Sequence, residues 1–364
     1  MFAIAGALAA ALVMSGSVDS FDRPAMDRAV DTAAASGMAG VVLVGDQDNT
    51  LYARAVSAPG HPHNLDEVWR WASVTKQLTA TLVMQQVEAG RLALDETLGQ
   101  RLPAFKGKTA ATVTLRMLLQ HTSGLPDPSA EGADGEAMPP FYRRDTKGVG
   151  SAADALGFCA GEPRAAPGAE FRYNNCDYIV LGAVLERTTG KPFASLLQDQ
   201  IGRPAEMGSV RLAEVGVPMP KTVSGRLSAD KPEPDFVLAT FGPAGAVYGQ
   251  PADLLRFDQA LLNHRLLTAR STEIMFEGDP KLGYVALGAW GFSAPLKGCS
   301  GPVALVERRG EIGGVEVRNL VAPALKRALV VFADRSDLEF GEIWQGKGLT
   351  YQLASAAFCK APAP

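Results

Sequence analysis

Apolar residues in this chain follow two patterns, and the patterns occupy different regions. Near the start and again in the last hundred residues they come as short runs bounded by turn residues, which predicts strands. Val41 to Val44 and Leu51 to Val56 read as a hairpin around the polar turn Asp46-Gln47-Asp48-Asn49. Tyr284 to Phe292, Val303 to Arg308, Val315 to Val321 and Ala328 to Ala333 are the later runs, separated by Gly310, Pro323 and Lys326. Between the two regions apolar positions recur at three and four residues, the spacing of one helix face. This predicts helices over Pro24–Ser36, from Ser73 through Val87 to Gly90, over Val113–Gln120, Tyr178–Thr188 and Pro251–Asn263.

Strands at both ends and helices between them predict an α+β fold. One antiparallel sheet, flanked by helices, forms from about 24–70 and 245–364, with a mostly helical insert at about 77–240. A site is then expected in the cleft between the two layers. The stretch from Pro128 to Gly150, rich in Gly, Pro and charge, reads as a long surface loop of the kind that carries function.

The N-terminus departs from this scheme. Phe2 to Met14 is apolar apart from Gly6, Ser15-Gly16-Ser17 follows, and the first charge is Asp19. Residues 1–18 read as a secretory signal without the usual basic start, leaving 19–364 as the mature chain. The stretch is short for a membrane anchor; a buried N-terminal helix is the plain alternative. Export to the periplasm or beyond suits an even set of four cysteines, none in a C-x-x-C pair. Cys159 with Cys176 and Cys299 with Cys359 is the favoured pairing.

The 364 residues are 47% hydrophobic and 20% charged, ordinary for a globular chain. A net charge of −4 without a Lys/Arg run argues against a nucleic-acid partner or stable membrane association beyond the leader.

Candidate chemistry begins at Ser73-Val74-Thr75-Lys76. An S-x-x-K at a helix start puts a hydroxyl and an amine on one helix face. A serine needs a neighbour to take its proton, and a lysine serves only if burial or nearby charge lowers its pKa. Tyr173-Asn174-Asn175 follows the turn Pro167-Gly168: Tyr173 can relay a proton, and Asn175 can hold the lysine or a substrate amide. In Arg308-Arg309-Gly310-Glu311 the glycine permits close approach to a strand, and an arginine there can bind a carboxylate. His61-Pro62-His63 is read as a chance pair, not a zinc site.

In this order and spacing the segments resemble the serine beta-lactamase and D-alanyl-D-alanine carboxypeptidase superfamily, its class C branch, over roughly Asp27–Asp334. Trp71 to Gln77 matches the nucleophile segment. Leu118-Leu119-Gln120-His121-Thr122-Ser123-Gly124-Leu125 matches "LLxHTSGL". Tyr173 to Leu181-Gly182 matches the Tyr-x-Asn segment, and Gly242 to Phe257 the glycine-rich stretch after it. The resemblance implies an acyl-enzyme on Ser73, proton transfer shared by Lys76 and Tyr173, and an oxyanion hole from the backbone N–H groups of Ser73 and Glu311. No metal or other cofactor is called for. One departure stands out: Arg308-Arg309-Gly310 occupies the place of Lys-Thr-Gly, so Arg309 replaces a small hydroxyl residue used against the substrate carboxylate. That weakens beta-lactamase activity most and leaves a D-amino-acid peptidase or an esterase acting on a small-molecule or peptide substrate. The alternatives from other classes are a non-catalytic cell-wall-peptide-binding protein and a hydrolase using His121. The latter is disfavoured because no G-x-S-x-G is present.

Overall fold

The structure, a computed structural model, describes residues 21–130, 138–143 and 152–360. The leader predicted for 1–18 and much of the loop predicted for 128–150 lie outside the described residues. Six strands, β1 (Gly40–Asp46), β2 (Thr50–Val56), β3 (Trp290–Pro295), β4 (Pro302–Ile312), β5 (Val315–Ala322) and β6 (Arg327–Ala333), make one antiparallel sheet in the order β2-β1-β6-β5-β4-β3. The N-terminal hairpin docks on the last strand, Gly40 opposite Ala333, so both chain ends share the sheet as expected.

Uninterrupted apolar runs are what a sheet covered on both faces requires, because successive side chains point to opposite faces. Val41 and Leu43 of β1 enter one core and Val42 and Val44 the other. In β6, Ala328, Val330 and Phe332 separate in the same way from Leu329, Val331 and Ala333. Five longer helices build the two covering layers: α1 (Arg23–Ala35), α2 (Thr75–Glu88), α3 (Cys176–Thr189), α4 (Pro251–Leu262) and α5 (Gly348–Phe358). Helices α1 and α5 cover one face; α2, α3 and α4 belong to the core on the other. Asp22 caps α1 by accepting from the Ala25 N–H. Helix α2 is buried on almost every side, and Thr79 answers that burial by donating to the Pro243 carbonyl at 2.7 Å.

Three findings differ from the sequence reading. The strand predicted from Tyr284 begins only at Trp290, because Tyr284 (φ 66°) and Gly288 (φ 85°) hold left-handed conformations that a ladder excludes. Helix α5 was not assigned, although Leu349, Leu353 and Ala357 repeat every fourth residue. A small sheet of Arg211–Leu212, Val247–Gly249 and Trp69–Arg70 was also unforeseen; its strands are too short to show periodicity. Both disulfides form as favoured, Cys159–Cys176 and Cys299–Cys359. Among the described residues, no helix is long and apolar enough to cross a membrane.

Candidate active site

The site is built where the small sheet hands the chain to α2. The Trp71 N–H donates to the Val247 carbonyl at 2.8 Å, and Ala72 adopts φ 49°, a left-handed conformation rare for a side-chain-bearing residue. Ser73 therefore sits on a 3₁₀ turn, Ala72–Val74, leading into α2, rather than inside a regular helix. Its Oγ remains 3.1 Å from Nζ of Lys76, one turn on.

Lys76 is wholly buried, and its three N–H bonds have three acceptors: Ser73 Oγ, Asn175 Oδ1 at 2.6 Å and the Ala244 carbonyl at 2.8 Å. Three acceptors suit an ammonium group. Burial, followed by the Arg308 charge, lowers its pKa to about 8 against the opposing pull of Tyr173. Tyr173 closes the constellation, with its hydroxyl 2.6 Å from Ser73 Oγ and accepting from Nη2 of Arg308 at 2.8 Å. Burial alone would raise the phenol, but the charges of Lys76 and Arg308 bring it down to about 8. Arg308 also donates Nε to the Ser73 carbonyl at 2.8 Å, so one guanidinium braces both the serine and the tyrosine. A hydroxyl thus lies within reach of two groups able to take its proton, with a fixed cation behind them.

Behind Tyr173 lies a buried polar knot. The His121 ring packs 4.5 Å from the Tyr173 ring, and its Nδ1 is 3.0 Å from Asp177, which also accepts from Ser123 and Asn174. Burial pushes His121 well below its ordinary range and Asp177 well above. The "HTSGL" run therefore ends a short helix, Leu115–Leu119, as read, and backs the tyrosine rather than facing the serine.

Residues 24–343 match the family model for Beta-lactamase. The chain belongs to the Beta-lactamase family. It is 28% identical over 330 residues to the D-alanyl-D-alanine-carboxypeptidase/endopeptidase AmpH of Escherichia coli, covering 84% of this chain and 80% of that one. It is 29% identical over 261 residues to the esterase EstB of Burkholderia gladioli, covering 61% and 64%. Among solved structures, the D-amino acid amidase of Ochrobactrum anthropi SV3 superposes with a TM-score of 0.75 at 21% identity, over 92% of this chain and 97% of that one. A D-stereospecific amidohydrolase from Streptomyces gives 0.74 at 24%, over 93% and 99%. The chain is a beta-lactamase-related serine hydrolase of the beta-lactamase/transpeptidase fold.

Within that family frame, the remaining predicted residues divide. Gly310 lies against the serine turn: a Cβ there would meet the Trp71 carbonyl at 2.7 Å and the Ser73 nitrogen at 3.0 Å, so only glycine lets β4 approach this closely. Asn175 holds Lys76 through Oδ1, but its amide N–H groups already donate to Tyr142 at 2.6 Å and Ser129 at 3.2 Å, both bordering the cleft. Arg309 reaches the cleft wall with its guanidinium occupied. Four of its five N–H donors go to Glu307 and Glu342, and its face lies over Trp344. Burial opposes that charge, yet the two carboxylates raise its pKa above the ordinary value. Glu311, on the cleft wall, accepts from the Gly314 N–H, and desolvation within the cleft raises its pKa. Burial, reinforced by Glu311, lifts Glu316 to about 7 although Arg318 pulls the other way.

The cleft before Ser73 encloses about 620 Å³ between Tyr173, Trp290, Phe241 and the β4 edge. A more enclosed apolar cavity of about 290 Å³ beside α3 holds none of the predicted site residues. Sequence reasoning missed Ser129, Tyr142, Trp290 and Glu316 at the cleft. Tyr142, stacked 3.9 Å from Phe241, comes from the stretch read only as a loop. His61 and His63 lie against Glu67 and Asp334, outside the cleft.

Proposed function

We propose that the chain is an exported serine hydrolase that opens amide or ester bonds through an acyl-serine at Ser73. The observation that carries the proposal is the short contact of Ser73 Oγ with the Tyr173 hydroxyl at 2.6 Å while Arg308 donates to that same phenol oxygen at 2.8 Å. Ser73 Oγ attacks the carbonyl carbon and its proton passes to Tyr173. The C–N or C–O bond then breaks, and the leaving nitrogen or oxygen takes the proton. Water adds to the acyl carbon in the reverse sense, giving up a proton as Ser73 regains one and the acid departs. Tyr173 is the base in this reading. Lys76 as an ammonium has an acceptor for each of its three N–H bonds, and in that form it stabilises the phenolate beside it. The backbone N–H groups of Ser73 and Glu311 receive the oxyanion, a reading supported by the close seating of Gly310 on the serine turn.

For the substrate, the similarity to AmpH favours a peptidase for D-amino-acid bonds, and the similarity to EstB a carboxylesterase. Beta-lactam hydrolysis ranks below both because Arg309 is already paired. Export is supported by the apolar N-terminal stretch and two disulfides. A fluorophosphonate or fluorescent penicillin is expected to label Ser73. Folded protein that takes up no label would instead be a peptide-binding protein. Ser73→Ala is expected to abolish p-nitrophenyl ester turnover; retained turnover overturns the mechanism.

A further inference from the structure

A carboxylate entering a confined cleft must exchange its water for a cation or several donors. The cations lining this cleft, among the described residues, are Arg308 and Arg309. Arg308 is 2% exposed, gives Nε and Nη2 to Ser73 and Tyr173, and lies between the rings of Tyr173 and Trp290 at 5.3 and 5.2 Å. Arg309 gives four donors to Glu307 and Glu342. Lys76, beneath them, has all three N–H bonds engaged within the protein. The other ionisable residues on the wall, Glu311 and Glu316, are carboxyls and offer no positive charge to an incoming anion. The amide of Asn175 is also fully engaged.

We infer that this cleft discriminates against substrates bearing a carboxylate beside the scissile bond, and that its substrates are neutral there: esters, amides and internal peptide bonds. A free C-terminal dipeptide or a beta-lactam, each of which carries such a carboxylate, is a poor substrate. The inference rests on the acyl-serine reading above and narrows it.

The test uses the full chain and two matched pairs. In the first, 3-acetoxybenzoate and 3-acetoxybenzamide present the same acetyl ester with a charged or a neutral leaving phenol. Their kcat/KM values are divided by their alkaline hydrolysis rates. The amide is expected to be favoured by about tenfold or more; equal or reversed values overturn the inference. In the second, an N-acyl-D-alanyl-D-alanine is compared with its C-terminal carboxamide by release of D-alanine or D-alaninamide, with the same expected order. Loss of all ester turnover would defeat the acyl-serine reading itself, a separate result. Glu342→Gln frees part of the Arg309 guanidinium. It is expected to shrink the discrimination at least about threefold while neutral-ester turnover stays within about twofold. Unchanged discrimination in a variant with native near-ultraviolet circular dichroism removes Arg309 pairing as the cause and overturns that account.

Discussion

Arg308 and Arg309 are neighbours on β4 but act in different regions of the molecule. Alternation on the strand sends Arg308 toward the α2 layer, where it braces Ser73 and Tyr173. It sends Arg309 to the other face, where Glu307 and Glu342 neutralise it beside Trp344. The same residue type therefore braces a serine and a tyrosine on one face and closes a charge network on the other. Identity at a motif position does not define a role; the partners on each face do.

Four outcomes test that contrast, in falling order of effect. Ser73→Ala removes the group the inner face serves and is expected to cut ester kcat/KM by about a thousandfold or more, read by steady-state kinetics. Arg308→Gln is expected to cost about a hundredfold. Its pH profile carries the sharper signature. Burial lowers Lys76, the Lys76 charge lowers Tyr173, and the Arg308 charge adds to both, so removing it raises both and the rising limb of kcat/KM moves to higher pH. An unmoved limb would mean that Arg308 only supports the fold. Arg309→Gln is expected to do the reverse: neutral-ester turnover within about threefold of wild type, but a melting temperature several degrees lower, because buried Glu307 loses its main partner at a cost of about 3 kcal/mol. A large kinetic loss with unchanged stability would put both arginines in one role. Tyr142→Phe deletes one acceptor for Asn175, about 1 kcal/mol, and is expected to lower kcat/KM about fivefold with no change in the discrimination against carboxylates.

Much of this was legible beforehand because it rests on local pattern. The runs Val41–Val44 and Ala328–Ala333 declare strands, and Gly90 marks a helix limit. What resisted reading was short or non-local. The strand Trp69–Arg70 has no period to display. Tyr142 sits in a stretch whose composition announces a loop, yet its hydroxyl fixes Asn175, 33 residues away. Tyr284 forms no strand because a left-handed turn overrides its apolar run.

The sequence by itself determined most of the longer secondary elements, their segregation into sheet and helices, and the set Ser73, Lys76, Tyr173 and Asn175, because periodicity and motif spacing are properties of the chain alone. Only the tertiary structure decided what those groups are at neutral pH and what Arg309 is free to do. Burial, a second cation 2.8 Å from the Tyr173 hydroxyl, and two carboxylates around Arg309 all come from residues far apart in sequence. A pKa and a free donor belong to an environment, and the environment exists only once the chain has folded.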